Sequence, residues 1–425
     1  MKIAVIGSGI SGLTSAYLLS KKHDVVLYEA GDRLGGHTAT MDIEYQRKHY
    51  SIDTGFIVFN DWTYPLFQQL LEQLGVTSKP TEMGFSVSCE ASGLEYSGDS
   101  IDTLFAQRRN IVSLSHWQMI KDILRFNKQA PIDVDKGGEF SSMTLGDYLT
   151  SRGYSEVFID KYLVPMGSAI WSASTSVMQA FPLQFFVRFF VNHGLLSVNH
   201  RPQWHVVNGG SKSYIAPLVE SFKDCIRLST PVTSIVRDNI DGANTVTITS
   251  NNYGEEKYDH VIIATHSDQA LALLSDATND ESSVLGDIAY RNNDVVLHTD
   301  ERCLPHNKKT WSSWNYSIPK SATHDDTPPV LTYNMNILQG IDAPCTFCVT
   351  LNNTDQIDPQ KIIGRYQYAH PVFSLQAIAA QQRWADINGQ KNTWFCGAYW
   401  ANGFHEDGVK SATRVAEKFG ITLSS

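Results

Sequence analysis

The amino-acid sequence predicts an α/β protein in which a Rossmann-like domain carries an inserted second domain of mixed α+β type. The first observation is a short apolar run, Lys2 to Ile6, followed at once by G-x-G-x-x-G over residues 7–12 and by apolar residues at helical spacing. The second is another apolar run, Val25 to Tyr28, which ends in Glu29. The third is the length of 425 residues, which suggests two or three domains.

Together the strand, glycine turn, helix, second strand and acid form the complete βαβ fingerprint for binding a dinucleotide. Gly7 permits the tight turn, Gly9 lets the backbone approach a pyrophosphate, and Gly12 allows the helix to pack closely on the strand. The helix N-terminus offers unpaired N–H groups to the phosphates, and Glu29 is placed to accept hydrogen bonds from a ribose diol. The predicted cofactor contacts of the turn are Gly7, Ser8, Gly9, Ile10, Ser11 and Gly12.

A second glycine pair favours FAD over NAD as the bound dinucleotide. Residues 33–38 (R-L-G-G-H-T) follow the acid closely and residues 52–55 (I-D-T-G) come later, so the extended cofactor can be gripped again. Glu29-Ala30 followed by R-L-G-G resembles the FAD signature of the flavin-containing amine oxidase superfamily. The resemblance implies an FAD-binding domain of the amine oxidase type with an inserted substrate domain. The predicted contacts of this region are Glu29, Ala30, Arg33, Gly35, Gly36, His37, Thr38, Asp53, Thr54 and Gly55.

Later segments also resemble that superfamily. In the family, the segment around Val232 closes over the adenine, and Ala264-Thr265 passes near the dinucleotide. Residues 393–398 are strand-like, and residues 403–412 resemble the last FAD motif, in which an acid and a glycine precede a helix. N–H groups at such a helix start stabilise negative charge on a reduced flavin. The further predicted contacts are Val232, Ala264, Thr265, Gly397, Glu406, Asp407, Gly408 and Val409.

Cys396 lies in the strand-like segment and raises the alternative of a covalently attached flavin. Its position on a strand favours a buried thiol instead, because free cysteines usually behave as small buried apolar residues. We therefore expect FAD to be bound without a covalent bond.

The resemblance makes the FAD-binding domain discontinuous, over residues 1–75, 202–285 and 385–425. By elimination, residues 76–201 and 286–384 form the substrate-binding domain. The first insert is predicted to be partly helical and the second to hold strands. The predicted elements are helices over Leu104 to Phe126 and Met143 to Leu163, and strands over Asp294 to His298, Leu331 to Asn336 and Thr346 to Leu351.

One subgroup of the superfamily is similar along nearly the whole chain. It comprises bacterial FAD-dependent oxidoreductases encoded near cyclopropane fatty acid synthase homologues, and it resembles the N-terminal region of the plant cyclopropane fatty acid synthases. The strongest marks are W-F-C-G-A-Y at 394–399 and G-F-H-E-D-G at 403–408. The similarity implies an acyl-lipid substrate and leaves open a methyltransferase as partner.

Residues that could carry out chemistry are few. Amine oxidases of the superfamily place a Lys near the flavin on the strand after the domain crossover, and the matching residues 290–296 (Y-R-N-N-D-V-V) contain none. Lys308-Lys309 is the nearest substitute, with a solvated loop pair as the alternative. His370, next to Pro371 and close to three aromatic or amide side chains, is the candidate catalytic base, with a structural histidine as the alternative.

Aromatic residues in the inserts and near the C-terminus could wall an apolar substrate cavity, although core packing explains each of them equally well. The candidates are Trp171, Trp314, Tyr316, Tyr333, Tyr399 and Trp400. The phenylalanine-rich stretch from Phe181 to Leu196 has two interpretations, a helix that admits a lipid or touches a membrane transiently, and a buried helix of the substrate domain.

Composition excludes several classes of function. The net charge of −10 is the wrong sign for a nucleic-acid-binding surface. His residues at metal-binding spacing are absent, so no metal is expected. The sequence shows neither a signal peptide nor a transmembrane run, which makes the cytoplasm the expected compartment.

The sequence thus predicts an FAD-dependent oxidoreductase, an oxidase or a dehydrogenase, that removes a hydride from a hydrophobic acyl-lipid substrate. One alternative is a flavoprotein subunit that accompanies a lipid-modifying methyltransferase, with FAD mainly structural. The other is an amine oxidase, against which the missing Lys argues.

Overall fold

The computed structural model describes residues 1–197, 199–240, 243–320 and 328–424. The chain forms two compact units, each assembled from separated segments. Unit 1 contains Met1–Lys79, Val207–Tyr290 and Gln376–Ser425, and unit 2 contains Pro80–Val206 and Arg291–Leu375. Helices and several sheets occur together, which confirms the predicted α/β fold class.

The strands are short, as expected for a protein that alternates helix and sheet. In chain order they are β1 (Lys2–Ile6), β2 (Asp24–Tyr28), β3 (Thr40–Tyr45), β4 (Lys48–Asp53), β5 (Phe59–Asn60), β6 (Ser78–Thr81), β7 (Phe85–Cys89), β8 (Leu94–Ser97), β9 (Trp204–Val207), β10 (Ile226–Arg227), β11 (Val232–Ile240), β12 (Ala243–Ser250), β13 (Gly254–Tyr258), β14 (His260–Ile263), β15 (Tyr290–His298), β16 (Trp314–Ile318), β17 (Val330–Asn334), β18 (Cys348–Leu351), β19 (Ile362–Pro371) and β20 (Thr393–Phe395).

The helices range from single turns to one of 23 residues. They are α1 (Ile10–Ser20), α2 (Pro65–Gln73), α3 (Ile101–Leu104), α4 (Leu114–Lys136), α5 (Leu145–Ser151), α6 (Glu156–Phe158), α7 (Val164–Trp171), α8 (Thr175–Gln179), α9 (Leu183–Asn192), α10 (Ile215–Val219), α11 (Ser267–Leu273), α12 (Asn279–Gly286), α13 (Met335–Leu338), α14 (Leu375–Gln382), α15 (Trp384–Ile387) and α16 (His405–Glu417).

Unit 1 is built on a parallel sheet with the strand order β10-β2-β1-β14-β20. The central strand β1 pairs with β2 on one side and with β14 on the other. Because successive side chains of a strand point to opposite faces, β1 divides its residues between two cores. Ile3 and Val5 pack with α1 and α16, whereas Ala4 and Ile6 pack with residues of the antiparallel sheet β11-β12-β13.

A buried ion pair joins that antiparallel sheet to α12. Arg237 of β11 donates to both carboxylate oxygens of Glu281, at 2.7 and 2.8 Å, and both side chains are almost fully buried. Arg237 also donates to Asp276 at 2.6 Å. Two carboxylates around one guanidinium compensate the loss of its hydration, so the pair holds the sheet and the helix in a single relative position.

Unit 2 is built on a mixed seven-stranded sheet with the order β19-β15-β18-β17-β16-β7-β8. Side chains of β7, β16 and β17 pack against Met119 of α4 and Ala169 of α7. This arrangement places the helices of the first insert on the sheet to which the second insert contributes most strands. The two inserts therefore bury apolar residues in one shared core.

Helix α9 corresponds to the phenylalanine-rich stretch that the sequence left open. Its side chains Phe186, Phe189 and Phe190 are at most 4% exposed, and Val191 is its exposed large apolar residue. The structure therefore favours the buried helix over a helix that touches a membrane. Within the described residues, no helix combines the length and apolar character needed to cross a bilayer.

The borders of the two units differ from the predicted domain borders by a few residues at three of the four positions. The largest difference concerns α14, which the sequence analysis assigned to the substrate-binding domain (286–384). In the structure, residues from Gln376 onward belong to unit 1. Ala377 and Ala380 lie in a core of unit 1, and Gln381 donates to the carbonyl of Tyr399 at 2.7 Å. Helical spacing alone could not assign this helix.

Candidate functional site

The glycine turn at the end of β1 has no room for side chains on its inner side. Gly7 adopts φ +97°, and its N–H donates to the Tyr28 carbonyl of β2 at 2.8 Å. A Cβ on Gly12 would lie 1.9 Å from the Gly7 carbonyl oxygen, whereas a Cβ on Gly9 would meet nothing within 4 Å. The turn is therefore closed towards α1 at Gly12 and open at Gly9, the position predicted to face a pyrophosphate. Ser8, Ile10 and Ser11 complete the turn and are buried.

Glu29 ties the end of β2 to this turn. Its carboxylate accepts from the Ser8 N–H at 2.9 Å, from the Ser8 hydroxyl at 2.5 Å and from the Gly31 N–H at 2.7 Å. A carboxylate has about four acceptor positions, so acceptor capacity remains for a ribose hydroxyl. Ala30 directly follows this acid and is exposed.

The second glycine pair lies against the first turn. The Gly35 N–H donates to the Ser8 carbonyl at 3.0 Å, and a Cβ on Gly36 would approach the Gly9 Cα to 3.2 Å. The exposed Arg33 donates to the carbonyls of Gly36 and Thr38, at 2.9 and 3.2 Å. Arg33 thus fixes the conformation of its own loop, and its predicted pyrophosphate contact stays a prediction.

Three of the predicted contacts hold neighbouring segments in place. Asp53 is fully buried and accepts from Thr40 Oγ1 at 2.5 Å and from the N–H and hydroxyl of Ser211, at 2.9 and 2.8 Å. Burial raises the pKa of Asp53 to about 6. Thr54 bonds to the Ala39 carbonyl, and a Cβ on Gly55 would lie 2.2 Å from the His37 carbonyl oxygen. In the structure the Asp53 carboxylate thus joins β4 to Thr40 and Ser211, and its predicted contact with a cofactor stays a prediction.

A buried imidazole, which the sequence analysis did not identify, connects the three segments of unit 1. His405 Nε2 lies 2.8 Å from the Tyr214 hydroxyl and 3.1 Å from Thr38 Oγ1, and those two oxygens also contact each other. The His405 ring stacks on Phe56 with centroids 3.6 Å apart. Complete burial lowers the pKa of His405 to about 3, so the ring is neutral. Tyr214 lies 176 residues from Thr38, and no local pattern signals such a contact.

The two acids at the start of α16 bind backbone N–H groups. Glu406 accepts from the N–H groups of Leu66 and Phe67, at 3.0 and 2.8 Å, and so caps α2. Asp407 accepts from Asn402 and Phe404, and burial raises its pKa to about 7. Both carboxylates thus serve as helix caps, and their predicted contact with the cofactor stays a prediction.

The remaining predicted contacts lie around these turns. A Cβ on Gly408 would meet Ile10 Cγ2 at 2.6 Å, so α16 begins directly against the start of α1. Ala264 donates to the Ile6 carbonyl at 2.8 Å beside Thr265. Gly397 donates to Ser411 Oγ at 3.1 Å. Val409 is buried, and Val232 at the start of β11 is half-buried.

The position of the Cys396 thiol argues against covalent attachment of a flavin. It is fully buried in the core that contains Leu13 of α1, and lies 3.5 Å from Ser15 Oγ. Burial raises the pKa of Cys396 to about 12, which keeps it a thiol. A flavin that approached the open side of the glycine turn would not meet a reactive thiolate at this position.

Unit 2 contains a small cleft that opens to solvent and has a volume of about 10 Å³, room for about one water molecule. It is mostly apolar, with two basic side chains. Its lining residues are Trp171, Ser172, Ala173, Val177, Phe181, Arg291, His370, Pro371, Val372 and Phe373. The candidate base His370 and the candidate substrate residue Trp171 therefore share one cleft.

The other predicted substrate residues do not line this cleft. Trp314 of β16 packs edge-on against Tyr333 of β17, with centroids 5.0 Å apart, and Tyr316 lies in the core beside α4. Tyr399 and Trp400 belong to unit 1, where Tyr399 is buried in a core. These five residues therefore lie at separate packing sites, and their predicted role at a substrate stays a prediction.

The direction of the hydrogen bonds around His370 determines which ring nitrogen carries its proton. Asn352 accepts from the Asp294 N–H at 3.1 Å, and its amide group donates to Asn293 Oδ1 at 2.9 Å. The Asn293 amide nitrogen therefore faces His370 Nδ1, at 3.3 Å, as a donor. Neutral His370 then carries its proton on Nε2, where it donates and does not accept. This geometry argues against the predicted role as a base at that atom.

Lys308 and Lys309 are both paired on the surface of unit 2. Lys308 bonds to Glu301 at 3.0 Å, and Lys309 contacts Asp102. These ion pairs support the solvated loop pair that the sequence analysis gave as the alternative. Within the described residues, no group of three His, Cys, Asp or Glu side chains is arranged to hold a metal.

The model of the family described as flavin containing amine oxidoreductase matches residues 10–336, which is most of the chain. The chain belongs to this family. The match covers the glycine turn from α1 onward, the second glycine pair and the strand β15. The protein is therefore an FAD-dependent oxidoreductase, as the sequence predicts.

The chain is also similar to known proteins, over part of its sequence or in its fold. Tryptophan 2-monooxygenase of Pseudomonas savastanoi is 34% identical over 82 residues, which are 19% of this chain and only 14% of that protein. Cyclohexylamine oxidase from Brevibacterium oxydans has the same fold, with a TM-score of 0.68 at 16% identity over 99% of both chains. A fatty acid isomerase from P. acnes gives 0.66 at 14% identity over 98% of both chains.

The residues of unit 1 fit FAD, the cofactor of this family. The test is steric, because the glycine turn is open only at Gly9, next to the N-terminus of α1 and the Glu29 carboxylate. Phosphates fit the N–H groups of that helix start, and a ribose fits the remaining acceptor positions of Glu29. The protein thus offers both halves of a dinucleotide site within one continuous βαβ unit.

We expect Glu29→Ala to weaken the binding of FAD by about 10- to 100-fold, which corresponds to the loss of charge-assisted hydrogen bonds. The variant removes the ribose acceptor and also releases the Ser8 and Gly31 N–H groups. The measurement is the FAD content after gel filtration, followed by titration of the apoprotein with FAD. Glu44→Ala, an exposed acid of β3, is the matched control. An unchanged FAD affinity in Glu29→Ala would contradict the assignment.

His405 makes a second prediction, about stability against pH. The pKa of His405 is about 3 in the folded protein and about 6.5 in the unfolded chain. Between these two pH values, His405 therefore binds a proton only in the unfolded chain. The free energy of unfolding should therefore fall between pH 6.5 and 3, by up to about 5 kcal/mol in all. Between pH 8 and pH 5, the wild type should lose about 2 kcal/mol of its free energy of unfolding through His405. The variant His405→Gln should not show this loss, so its difference from wild type should shrink by that amount.

Urea unfolding at the two pH values checks this expectation. His49→Gln, which removes an exposed histidine of β4, serves as the control for a histidine without burial. Parallel pH profiles of wild type and His405→Gln would show that His405 is protonated in the folded protein.

Proposed function

We propose that this FAD-dependent oxidoreductase acts on a hydrophobic acyl-lipid substrate whose carboxylate is held in the cleft of unit 2. The observation that carries the proposal is the combination of apolar walls and polar donors among the residues that line this cleft. FAD, when bound, supplies the acceptor for the hydride that is removed. The resemblance to oxidoreductases encoded near cyclopropane fatty acid synthases supports an acyl substrate, as does a fatty acid isomerase among proteins of this fold.

The aromatic side of the cleft suits an acyl chain. Trp171 packs against Phe181 with centroids 4.6 Å apart, and Phe181 packs against Phe373 at 6.2 Å. Val177 and Pro371 add aliphatic surface. Such walls bind methylene groups by excluding water from them and make polar interactions in the cleft stronger.

The polar side of the cleft suits a carboxylate. Arg291 is half-buried and forms no ion pair with any residue that the structure describes. The indole N–H of Trp171, a residue only 6% exposed, has no hydrogen-bond partner in the same described set. Arg291 and Trp171 thus offer the cleft a cation and one further N–H donor. An anion with planar oxygens would satisfy both of them, since an unpaired half-buried charge and an unpaired donor are both unfavourable.

Arg291 also occupies the strand where amine oxidases of the superfamily place a Lys. β15 begins at Tyr290, and its residues through His298 include no Lys. A guanidinium stays positively charged at all physiological pH values and matches a carboxylate with two parallel hydrogen bonds. Because Arg291 lines the cleft, its fixed positive charge there favours an acyl carboxylate as the group that is held.

The test of the substrate class uses oleate and its methyl ester as probes. We expect Arg291→Gln to raise the dissociation constant of oleate by about 10- to 100-fold, the effect of losing a charged hydrogen bond, and to leave the ester nearly unchanged. Binding is followed by tryptophan fluorescence and reduction by anaerobic bleaching of the flavin. Arg365→Gln, at an exposed position of β19, is the control.

Two outcomes would redirect the proposal. Rapid bleaching by primary amines, with none by lipids, would make the chain an amine oxidase in spite of the missing Lys. Tight binding of lipids without any bleaching would instead favour the alternative of an accessory subunit that accompanies a methyltransferase.

The role of His370 has its own test. Gln can donate a hydrogen bond but cannot serve as a general base, so we expect His370→Gln to keep the limiting rate of flavin reduction within about threefold. Loss of a general base would lower that rate by about 100-fold or more. His370→Phe removes the donor as well and should raise the dissociation constant of oleate. The comparison is made by rapid mixing over a range of oleate concentrations. A reduction of the flavin that is about 100-fold slower in His370→Gln would show that His370 acts as the catalytic base.

A further inference from the structure

Four large apolar side chains of unit 2 face solvent at the start of α4. Val112 is 83% exposed, Leu114 is 88% exposed, and Ile111 and Trp117 are about half exposed. These four residues, called the α4 patch below, are consecutive or one helical turn apart. Isolated exposed apolar residues are common, but a contiguous group of this kind marks a surface that meets another apolar phase.

The α4 patch is held in a fixed conformation. The indole N–H of Trp117 donates to the Ile111 carbonyl at 2.8 Å, which fastens the segment before the helix to its first turn. The Trp117 ring also packs against Phe105 at 5.2 Å, and Ser113 caps the helix by accepting from the His116 N–H. Apolar residues on a frayed end could fold back on the protein. Here the hydrogen bonds of the backbone hold them outward.

The charge around the patch is opposite in sign to that of the whole protein. Between residues 101 and 128, five basic residues face two acidic ones, a net charge of +3 in a chain whose net charge is −10. Of the two acids, Asp102 pairs with Arg108 at 2.5 Å and also contacts Lys309, and Asp122 is buried. The basic residues of the segment are Arg108, Arg109, Lys121, Arg125 and Lys128.

We propose that the α4 patch is a docking surface for a bilayer that contains anionic lipids. Leu, Val, Ile and Trp enter the region of headgroups and upper acyl chains, where the amphipathic indole is favoured. The flanking Arg and Lys side chains meet the lipid phosphates, and the rest of the acidic surface is turned away by repulsion. A protein partner would need an anionic rim around an apolar groove, whereas an anionic bilayer has both features everywhere on its surface.

Docking of this kind differs from insertion of a helix. Patch residues lie at one end of α4, so contact is shallow and reversible. The surface also stands apart from the cleft residues 171–181 and 370–373 in sequence, and its evidence is exposure and charge, not the chemistry of the cleft. The proposal is therefore independent of the identity of the substrate.

The experiment is flotation of the FAD-loaded protein with vesicles of phosphatidylcholine alone or with about one third phosphatidylglycerol. Binding is expected to the anionic vesicles, to weaken as salt is added, and to be slight for phosphatidylcholine alone. The variant Val112→Glu/Leu114→Glu should reduce the partition coefficient by about tenfold or more, since it removes two apolar anchors and adds two repelled charges. Lys121→Gln should reduce it about fivefold, the typical effect of one basic residue.

Ile132→Glu is the matched control. Ile132 lies on the same helix and is 46% exposed, but it is 18 residues beyond Leu114, roughly 27 Å along the helix axis. This variant should float like wild type. Thermal unfolding of all variants checks that each is folded.

Three results would overturn the proposal. One is equal flotation of wild type and Val112→Glu/Leu114→Glu. Another is equal binding to neutral and anionic vesicles. The third is self-association of wild type that Leu114→Glu abolishes, without any vesicle binding, which would show that a second copy of the chain covers the patch.

Discussion

Unit 1 depends on a steric constraint: where three backbone segments meet at the start of α1, no side chain can fit between them. Gly12 brings α1 onto the Gly7 carbonyl, Gly36 brings the second glycine loop onto Gly9, and Gly408 brings α16 onto Ile10. A methyl group on Gly12 would clash with the Gly7 carbonyl, and one on Gly36 or Gly408 would force its neighbours to shift. Since all three converge on one helix end, the N–H groups of α1 are surrounded by backbone and by few side chains, which is the environment that a pyrophosphate requires.

Polar groups keep these segments together once the glycines have let them approach. His405, Tyr214 and Thr38 come from different segments of unit 1 and bond to one another without solvent. Asp53, Glu406 and Asp407 each accept hydrogen bonds from backbone or hydroxyl donors elsewhere in the unit. Burial of these groups is unfavourable by itself, and their hydrogen bonds offset it only in the native arrangement. These buried polar groups therefore favour one arrangement of the segments over others, and they add little to its net stability.

The sequence predicts the features that depend on local pattern. The βαβ unit, the acid at the end of β2 and the discontinuous course of unit 1 follow from spacing and from resemblance. What it could not predict are contacts between distant residues, such as that of His405 with Thr38, 367 positions away. Nor does residue type tell whether an acid caps a helix or meets a ligand, as Glu406 illustrates. Arg291 is present in the same stretch that lacks the Lys, but no sequence pattern distinguishes an arginine that lines a cleft from one on the surface.

The same limit applies to aromatic residues. Tyr316 and Trp171 look alike in sequence, each within an apolar stretch, and only the fold separates a core residue from one that lines a cleft. The direction of a hydrogen bond is even harder to predict from the sequence, because it depends on several residues at once. The tautomer of His370 follows from Asn293, Asn352 and the backbone N–H of Asp294, three groups that lie on β15 and directly after β18.

The order in which the strands of unit 1 join has a consequence for synthesis of the chain. Ile3 of β1 pairs with His260 of β14, 257 residues later, and β20 completes the sheet only after residue 393. At about 5–20 residues per second, β1 leaves the ribosome roughly 13 to 50 s before β14 is made. During that interval two apolar strands and α1 have no second side to pack against. Cells that make this protein must therefore shield its first thirty residues, by chaperones or by the ribosome surface, until the second half of the sheet arrives.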